Sequence, residues 1–599
     1  LRRAIDPETG KSKTVSVPQK MLQKLADGGL IRLWQERVLR DPLGLRRAVE
    51  RDLPPLATED QGKAVRRIGE TVQAGRFEAF VLRGVTGSGK TEVYMRVIAA
   101  ALLRDEQDRD AGAIVLVPEI ALTPQLVNRF RARFGEMVAV LHSALTPGER
   151  YDQLTRISRG DARIVIGPRS ALFAPLRRLT VIVMDECHDS SFKQQSGVRY
   201  HARDVALVLA RHANAVCILG SATPGCRELH LVANQHATRL DMASRVLGRP
   251  MPESELVDLR TADRLRDEEL DRPSLLSRRL VDAIADTVGR NEQAIVLHNR
   301  RGFATTVVCA ACGAPFECPD CAISLTVHRR QGRMRCHYCD HTEPLDQSCP
   351  SCKATNLLHV GSGTERLEET LANAIPGMTV RRFDRDTASG RRLLDTLNAF
   401  RQRRIDVLVG TQMLAKGHDF PAVTLVGVAL AETGLRVPDY LAAERTFQLL
   451  TQVSGRAGRG EVPGRVIVQT YSPDHPAIRM ALGHDHAAFS AWEMEQRRRT
   501  NYPPFAHLAL VESKSKDLAA AQRAITAAAG CLRGLDLEVR GPVAAGVSRI
   551  RGVHRFHALI RSRQRPPLHA GLHALASRVT PHLPANVRLH VDVDPTEFS

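Results

Sequence analysis

Ala79-Phe80-Val81-Leu82-Arg83-Gly84-Val85-Thr86-Gly87-Ser88-Gly89-Lys90-Thr91 joins a short apolar, β-branched run to a helix-forming segment through a glycine-rich turn. Gly84 to Thr91 matches GxxxxGK[ST]. In such a turn the glycines let backbone N–H groups close around phosphates, the lysine reaches the β- and γ-phosphates, and the hydroxyl ligates Mg²⁺. Gly84, Thr86, Gly87, Ser88, Gly89, Lys90 and Thr91 are therefore expected to hold ATP with Mg²⁺. A buried strand running into this turn predicts a parallel α/β sheet.

The flanking sequence repeats the same grammar. AFVLRG (79–84), AIVLVP (113–118), RIVIG (163–167), TVIVMD (180–185) and VCILGS (216–221) are apolar runs separated by helix-period segments. A second set follows at AIVLH (294–298), TVRRFD (379–384), DVLVG (406–410), TLVGV (424–428) and RVIVQT (465–470). Two α/β lobes are predicted, with no sequence repeat between them. Val181 to Met184 ends in Asp185-Glu186-Cys187-His188. Asp185 is placed to hold Mg²⁺, and Glu186 to orient or deprotonate the attacking water. Cys187 reads as a small buried filler. In the second lobe, Gln452-Val453-Ser454-Gly455-Arg456-Ala457-Gly458-Arg459 offers Arg456 and Arg459 as γ-phosphate sensors across a cleft.

Eight of the twelve cysteines fall between 309 and 352, as four CxxC pairs. Thiolate pairs at this spacing clamp one side of tetrahedral Zn²⁺. The inner pairs Cys318/Cys321 and Cys336/Cys339 are enclosed by the outer pairs Cys309/Cys312 and Cys349/Cys352, so a nested pairing into two four-thiolate sites, two Zn²⁺ in all, is geometrically simple. Redox disulfides and an iron–sulfur cluster stay open as alternatives. No site needs His328, His337 or His341.

The charge sum, 85 basic against 66 acidic residues, is +19, which favours a polyanion such as nucleic acid. Residues 541–590 carry eight Arg and no Asp or Glu. Alternation around Arg555-Phe556-His557-Ala558-Leu559-Ile560-Arg561 predicts a strand with one cationic face, a candidate phosphate-contacting surface together with Arg549, Arg551, Arg563 and Arg565. No run of eighteen uncharged apolar residues exists, which excludes a spanning helix of that kind. Twelve cysteines are too sparse for a disulfide scaffold, and the clustering of eight of them suggests metal in a reducing cytoplasm. The chain opens on Leu1 with no apolar signal core, as expected of a cytoplasmic chain cut from a longer one. Val17 to Gly29 predicts a short amphipathic helix ending at Gly28-Gly29, and Leu30 to Val38 a strand, a pattern that fits the end of a winged helix and equally a helical hairpin or an ordinary linker.

Two lobes, the phosphate loop, the DExH-type strand end and the QxxGRxGR segment together resemble a superfamily 2 helicase. Pro118-Glu119-Ile120-Ala121-Leu122-Thr123-Pro124-Gln125 and Gly167 to Phe173 resemble its strand-contacting motifs. Ser221-Ala222-Thr223 resembles its coupling motif, and Thr58 to Gln61 the segment whose Gln recognises adenine. The resemblance narrows to the PriA family. Its carriers are Asp185 to Gln195, Arg199 to Asp204, Asn299-Arg300-Arg301-Gly302-Phe303 running into the CxxC pairs, Gly410 to His418, and Val591-Asp592-Val593-Asp594-Pro595. Two positions depart from it: Cys187 stands where that family has Glu, and Val198 where an aromatic is usual.

The resemblance implies two RecA-like P-loop NTPase lobes with a double-zinc insertion, a partial winged helix before them and an α+β C-terminal domain. The expected divisions are 1–51, 52–250, 251–480 with the insertion at 305–356, and 481–599. It implies nested zinc pairing, Cys309/Cys312 with Cys349/Cys352 and Cys318/Cys321 with Cys336/Cys339. It also implies a bacterial, nucleoid-associated 3′-to-5′ DNA helicase that acts in replication restart. Expected partners are branched and single-stranded DNA at replication forks, single-stranded-DNA-binding protein and other primosome proteins, with no membrane. The family's N-terminal domain that binds a 3′ end is not among these residues. The rival readings are another nucleic-acid motor of the same superfamily, one acting on RNA included, and a primosome-assembly scaffold with little unwinding.

Overall fold

A computed structural model describes the chain except for residues 1–2, 6–11, 15–18, 31–51, 104–109, 119–123, 247–250, 268–271, 299–305, 310–311, 313, 321–322, 329–331, 337–338, 346–347, 356, 361–363, 384–390, 413, 415–419, 436, 438, 459–461, 534 and 599. The first sheet has seven parallel strands. Their order is Val138–Val140, Ile164–Gly167, Ala111–Leu116, Arg178–Met184, Val216–Ser221, Glu78–Gly84 and Thr238–Met242. Successive residues point to opposite faces, so both faces of the central strands must be apolar. Phe80 and Leu82 pack under helices Glu59–Ala74 and Lys90–Leu103, while Ala79 and Val81 face the side covered by helices Pro147–Arg159 and Ala202–His212.

The second sheet is parallel as well, in the order Glu253–Asp258, Arg465–Thr470, Val423–Val428, Gln293–Leu297, Val407–Gly410 and Val380–Phe383. Ile295 and Leu297 join a core with helix Ala442–Ser454, and Ala294 and Val296 one with helix Arg278–Gly289. The cysteine-rich segment leaves the second sheet after Gln293–Leu297. Its first and last strands, Thr306–Cys309 and Leu357–Val360, pair antiparallel, so its two ends lie side by side as an insertion requires.

A four-stranded antiparallel sheet closes the chain, in the order Glu538–Ile550, Val553–Ser562, His507–Ser515 and Val587–Val593. Ala509 and Val511 face helices Leu518–Arg533 and Arg565–Arg578. Leu508, Leu510 and Leu559 on the other face share a core with Val307, Phe316, Leu325 and Met334 of the cysteine-rich segment. The insertion is therefore clamped against the C-terminal domain.

That packing corrects the expected cationic face. Arg555 and Arg561 lie on the inward side of their strand and are neutralised by Glu512 and Glu538, each pair at 2.6 Å. The exposed cations are Arg549 and Arg551 at the hairpin tip, with Arg563 and Arg565. Arg551 and Gly552 both take positive φ, 48° and 80°, as a two-residue hairpin turn demands.

Near the N-terminus, helix Gln19–Asp27 ends where Gly28 bonds back to the Lys24 carbonyl, as the Gly28-Gly29 stop predicted. A small hairpin pairs Arg3–Ile5 with Ser12–Thr14. The strand expected over Leu30 to Val38 lies outside the described residues from 31 onward. No described helix is long and apolar enough to cross a membrane.

Candidate functional site

The phosphate loop runs from the last residue of strand Glu78–Gly84 to the first of helix Lys90–Leu103. Gly87 and Gly89 hold φ of 86° and 81°, the left-handed region that glycine enters without penalty. A side chain on Gly89 would meet Gln61 Nε2 at 2.4 Å. Gln61 itself is buried: its Nε2 donates to the Ser88 carbonyl at 3.0 Å, and its Oε1 accepts from the Thr58 N–H at 3.0 Å. One side chain thus completes the capping box of its own helix and tethers the loop. The Lys90 ammonium rests on the Gly84 carbonyl at 3.0 Å.

Asp185 and Glu186 follow strand Arg178–Met184, separated from the loop's strand by Val216–Ser221. Tyr94, one helical turn after Lys90, donates its hydroxyl to Asp185 Oδ1 at 2.9 Å. A Cβ on Gly220 would lie 1.7 Å from that hydroxyl, so the bond depends on glycine in the intervening strand. Burial, then the neighbouring Glu186, pushes the Asp185 carboxyl up to about 6, against the pull of Lys90 and Tyr94. Burial also raises Glu186, but Lys90, His188 and Arg456 outweigh it and hold this carboxyl below its ordinary value. Glu186 sits at φ 48°, a conformation that costs a non-glycine residue about 1–3 kcal/mol and recurs at functional sites.

His188 Nδ1 is 2.7 Å from Ser221 Oγ, which accepts from the Thr223 N–H at 2.9 Å; Gln448 of the second lobe donates to the Thr223 carbonyl at 3.3 Å. The expected coupling segment thus links the carboxylates to the other sheet. Cys187 is buried, as expected, and burial raises its thiol well above the ordinary value.

The second lobe closes directly on the loop. A Cβ on Gly455 would lie 2.7 Å from Thr86 Cβ and Oγ1, and the next residue is Arg456. Glu444, from the same helix, accepts from the Cys226 N–H at 3.0 Å, giving an orphan donor at the start of helix Cys226–Ala233 a carboxylate partner. Arg497 pairs with Glu444 at 3.0 Å. Arg459 lies outside the described residues, as do Glu119 to Thr123, Asn299 to Phe303, Met413 and Ala415 to His418.

These residues fit MgATP. The loop offers its glycine-opened backbone, and Ser88 Oγ and Glu186 Oε2 are buried with no hydrogen-bond partner among the described residues. Bound Mg²⁺ would neutralise charge on the β- and γ-phosphates. Tyr94 and the tethering role of Gln61 went unread in the sequence. The signals were a tyrosine one turn after Lys90, and a Gln at the third position after a capping Thr.

The cysteines form two groups among the described residues. Cys309, Cys312, Cys349 and Cys352 have all sulfurs within 4.8 Å of one another, as do Cys318, Cys336 and Cys339. Cys321 lies outside the described residues. The grouping is nested. Sulfurs of Cys309 and Cys352 are 3.5 Å apart, Cys312 and Cys349 3.6 Å, Cys318 and Cys339 3.5 Å. A disulfide would need about 2.05 Å. Tetrahedral zinc with Zn–S of about 2.3 Å separates sulfurs by about 3.8 Å, close to the distances found. Each CxxC also makes the same knuckle: the first Cys N–H bonds the carbonyl five residues on, in Ala314, Ile323, His341 and Ala354.

Comparison with known proteins agrees along the chain. The DEAD/DEAH box helicase family matches residues 58–232, and the helicase conserved C-terminal domain 351–461. The PriA DNA helicase Cys-rich region domain matches 318–344, and the primosomal protein N C-terminal domain 498–596. Replication restart protein PriA of Bacillus subtilis (strain 168) is 41% identical over 98% of this chain and 72% of its own length. Its counterpart in Synechocystis sp. is 40% identical over 97% of this chain and 69% of its own. That of Haemophilus influenzae is 37% identical over 87% and 70%. With matches this extensive, in the order that the two sheets, the cysteine clusters and the antiparallel domain follow, the chain belongs to the PriA family of replication restart helicases.

Proposed function

We propose that this chain is an ATP-dependent DNA helicase of the primosome that moves 3′-to-5′ and remodels stalled or collapsed forks to restart replication. ATP with Mg²⁺ binds between the two parallel sheets. Lys90, Thr91 and Asp185 hold it with the glycine-rich backbone, Glu186 activates water, and Arg456 senses the γ-phosphate, with Arg459 assigned the same role. The observation that carries this reading is the seating of Gly455 on Thr86, which brings the charge of Arg456 to bear on Glu186. Branched and single-stranded DNA is bound by phosphate contacts, to which the exposed Arg549 and Arg551 contribute, and single-stranded-DNA-binding protein is a partner.

The test is ATP-driven unwinding of two duplexes that differ only in the polarity of a single-stranded tail. The chain is expected to open the 3′-tailed duplex and to leave the 5′-tailed one closed. DNA-stimulated ATP turnover without unwinding would favour an assembly scaffold instead, and equal stimulation by RNA a general superfamily motor.

Two Zn²⁺ per chain are proposed for the cysteine groups. Metal analysis of Cys318→Ser is expected to return one ion. Because Cys318 and Cys336 share a core with Leu508, Leu510 and Leu559, loss of that ion is expected to loosen the C-terminal domain while the first parallel sheet keeps its melting transition. Retention of both ions, or collapse of the whole chain in one transition, would count against this arrangement.

A further inference from the structure

We infer that Asp592, in the last strand of the chain, is a positioning residue for ATP turnover: it staples both limbs of the loop that follows Glu186, and so ties the C-terminal domain to the DNA response of the ATPase. The inference rests on the helicase reading above and adds a residue to it.

The loop begins at the catalytic carboxylates. The Asp189 N–H bonds the Glu186 carbonyl at 2.8 Å, and a short turn, Ser190–Phe192, sets the Phe192 ring into the core beneath the first sheet. The chain then leaves and returns as a narrow hairpin. Lys193 bridges His201, and the Gln194 N–H donates to the Tyr200 carbonyl at 2.8 Å. On one side, Arg169 bonds the Ser191 carbonyl and the Gln194 side chain, and Tyr200 meets Phe173 edge-on at 5.6 Å. Both partners come from Gly167 to Phe173, the segment that resembles a strand-contacting motif. The tip carries Val198, which is 83% exposed.

The other side of the base is gripped from 400 residues away. Lys193 Nζ lies 2.7 Å from Asp592 Oδ1 and donates to the Val593 carbonyl at 2.7 Å. Arg199, on the returning limb, comes within 3.7 Å of the other Asp592 oxygen and 3.9 Å of Glu512. The Lys193 and Asp592 side chains are only 1% and 3% exposed. Charges this deep are held by each other rather than by water, so each fixes where the other sits.

Two residues on, Asp594 pairs with Arg227 at 3.1 Å, on the helix that begins just after Thr223. The Thr596 carbonyl accepts from Arg445 of the second lobe. The end of the chain therefore touches both lobes, and Asp592 is its contact with the loop next to Glu186. With the base stapled and the tip exposed, displacement of the tip by DNA is passed toward Glu186 instead of being absorbed by movement of the base.

The experiment uses the full chain and a forked DNA, and compares Asp592→Asn and Arg199→Gln with the parent. ATP turnover is measured without DNA and along a DNA titration, with thermal melting alongside. Asp592→Asn is expected to keep its DNA-free turnover and to need about tenfold more DNA for half-maximal stimulation, the size of change that lost coupling between sites produces. Arg199→Gln, which leaves the Lys193–Asp592 pair intact, should shift the titration in the same direction by less. Equal proportional losses with and without DNA would mark Asp592 as merely structural and overturn the inference, as would titrations unchanged from the parent. If Asp592→Asn does not fold, the Arg199→Gln titration decides alone. A parent chain whose turnover ignores DNA would instead overturn the helicase reading, and it is recognised before any variant is compared.

Discussion

Arg456→Ala is expected to lower ATP turnover about 10³-fold, the low end of what a transition-state arginine contributes, while ATP still binds. Gly455 sits against Thr86 of the phosphate loop so closely that a methyl group there would collide with it, and Arg456 is the next residue along. Its charge is already felt inside the site, where it helps to hold the Glu186 carboxyl below its ordinary value in spite of burial. An arginine held by the opposite lobe stabilises the charge that develops on the transferred phosphoryl only when the lobes are closed, so the loss should fall on turnover rather than on nucleotide affinity. The measurement pairs DNA-stimulated turnover with equilibrium binding of a non-hydrolysable ATP analogue. A loss of less than about tenfold would assign Arg456 to the surface and leave the sensing role to another residue.

Glu186→Gln is expected to slow turnover by at least about 10²-fold with the nucleotide still bound, because an amide can hold a water but cannot take its proton. Several features keep Glu186 ionised at neutral pH. Lys90, His188 and Arg456 offset its burial, whereas the adjacent Asp185, which lacks that company in full, is pushed up to about 6. The two carboxylates are thus set apart by environment, with Glu186 the more readily ionised of the pair. Near-normal hydrolysis in Glu186→Gln would remove it from the mechanism, and tight analogue binding in the same variant separates this outcome from a damaged pocket.

The strands that the sequence hid are informative. Val138–Val140, Thr238–Met242 and Glu253–Asp258 went unread, and each lies at the edge of its sheet. A central strand such as Val181 to Met184 is covered on both faces and must be apolar throughout. Val138–Val140 is apolar but only three residues long, whereas TRLDM and ESELVD, with one sheet neighbour each, carry charges and still pair. The cysteine clusters were legible for a related reason. A CxxC knuckle is a local structure, the same N–H to carbonyl bond recurs at all four pairs, and nested spacing leaves few ways to bring them together.

What the amino-acid sequence determined by itself is whatever depends on neighbours along the chain. The phosphate loop between a strand and a helix, the carboxylates at a strand end, the alternation of apolar runs and helices, and the cysteine pairs all follow from spacing within a few residues. The tertiary structure alone decided which charges are spent inside. Arg555 and Arg561 read as a cationic face, yet Glu512 and Glu538 neutralise them because that side of the strand turns toward the cysteine-rich insertion. Tyr94 reaches Asp185 only because Gly220 leaves room in the strand between them. Lys193 and Asp592, at distant points of the chain, become one buried pair only when the C-terminal sheet docks on the first lobe. Periodicity shows which face of an element is apolar, but the partner of a buried charge is chosen by what packs against it, and no local pattern carries that information.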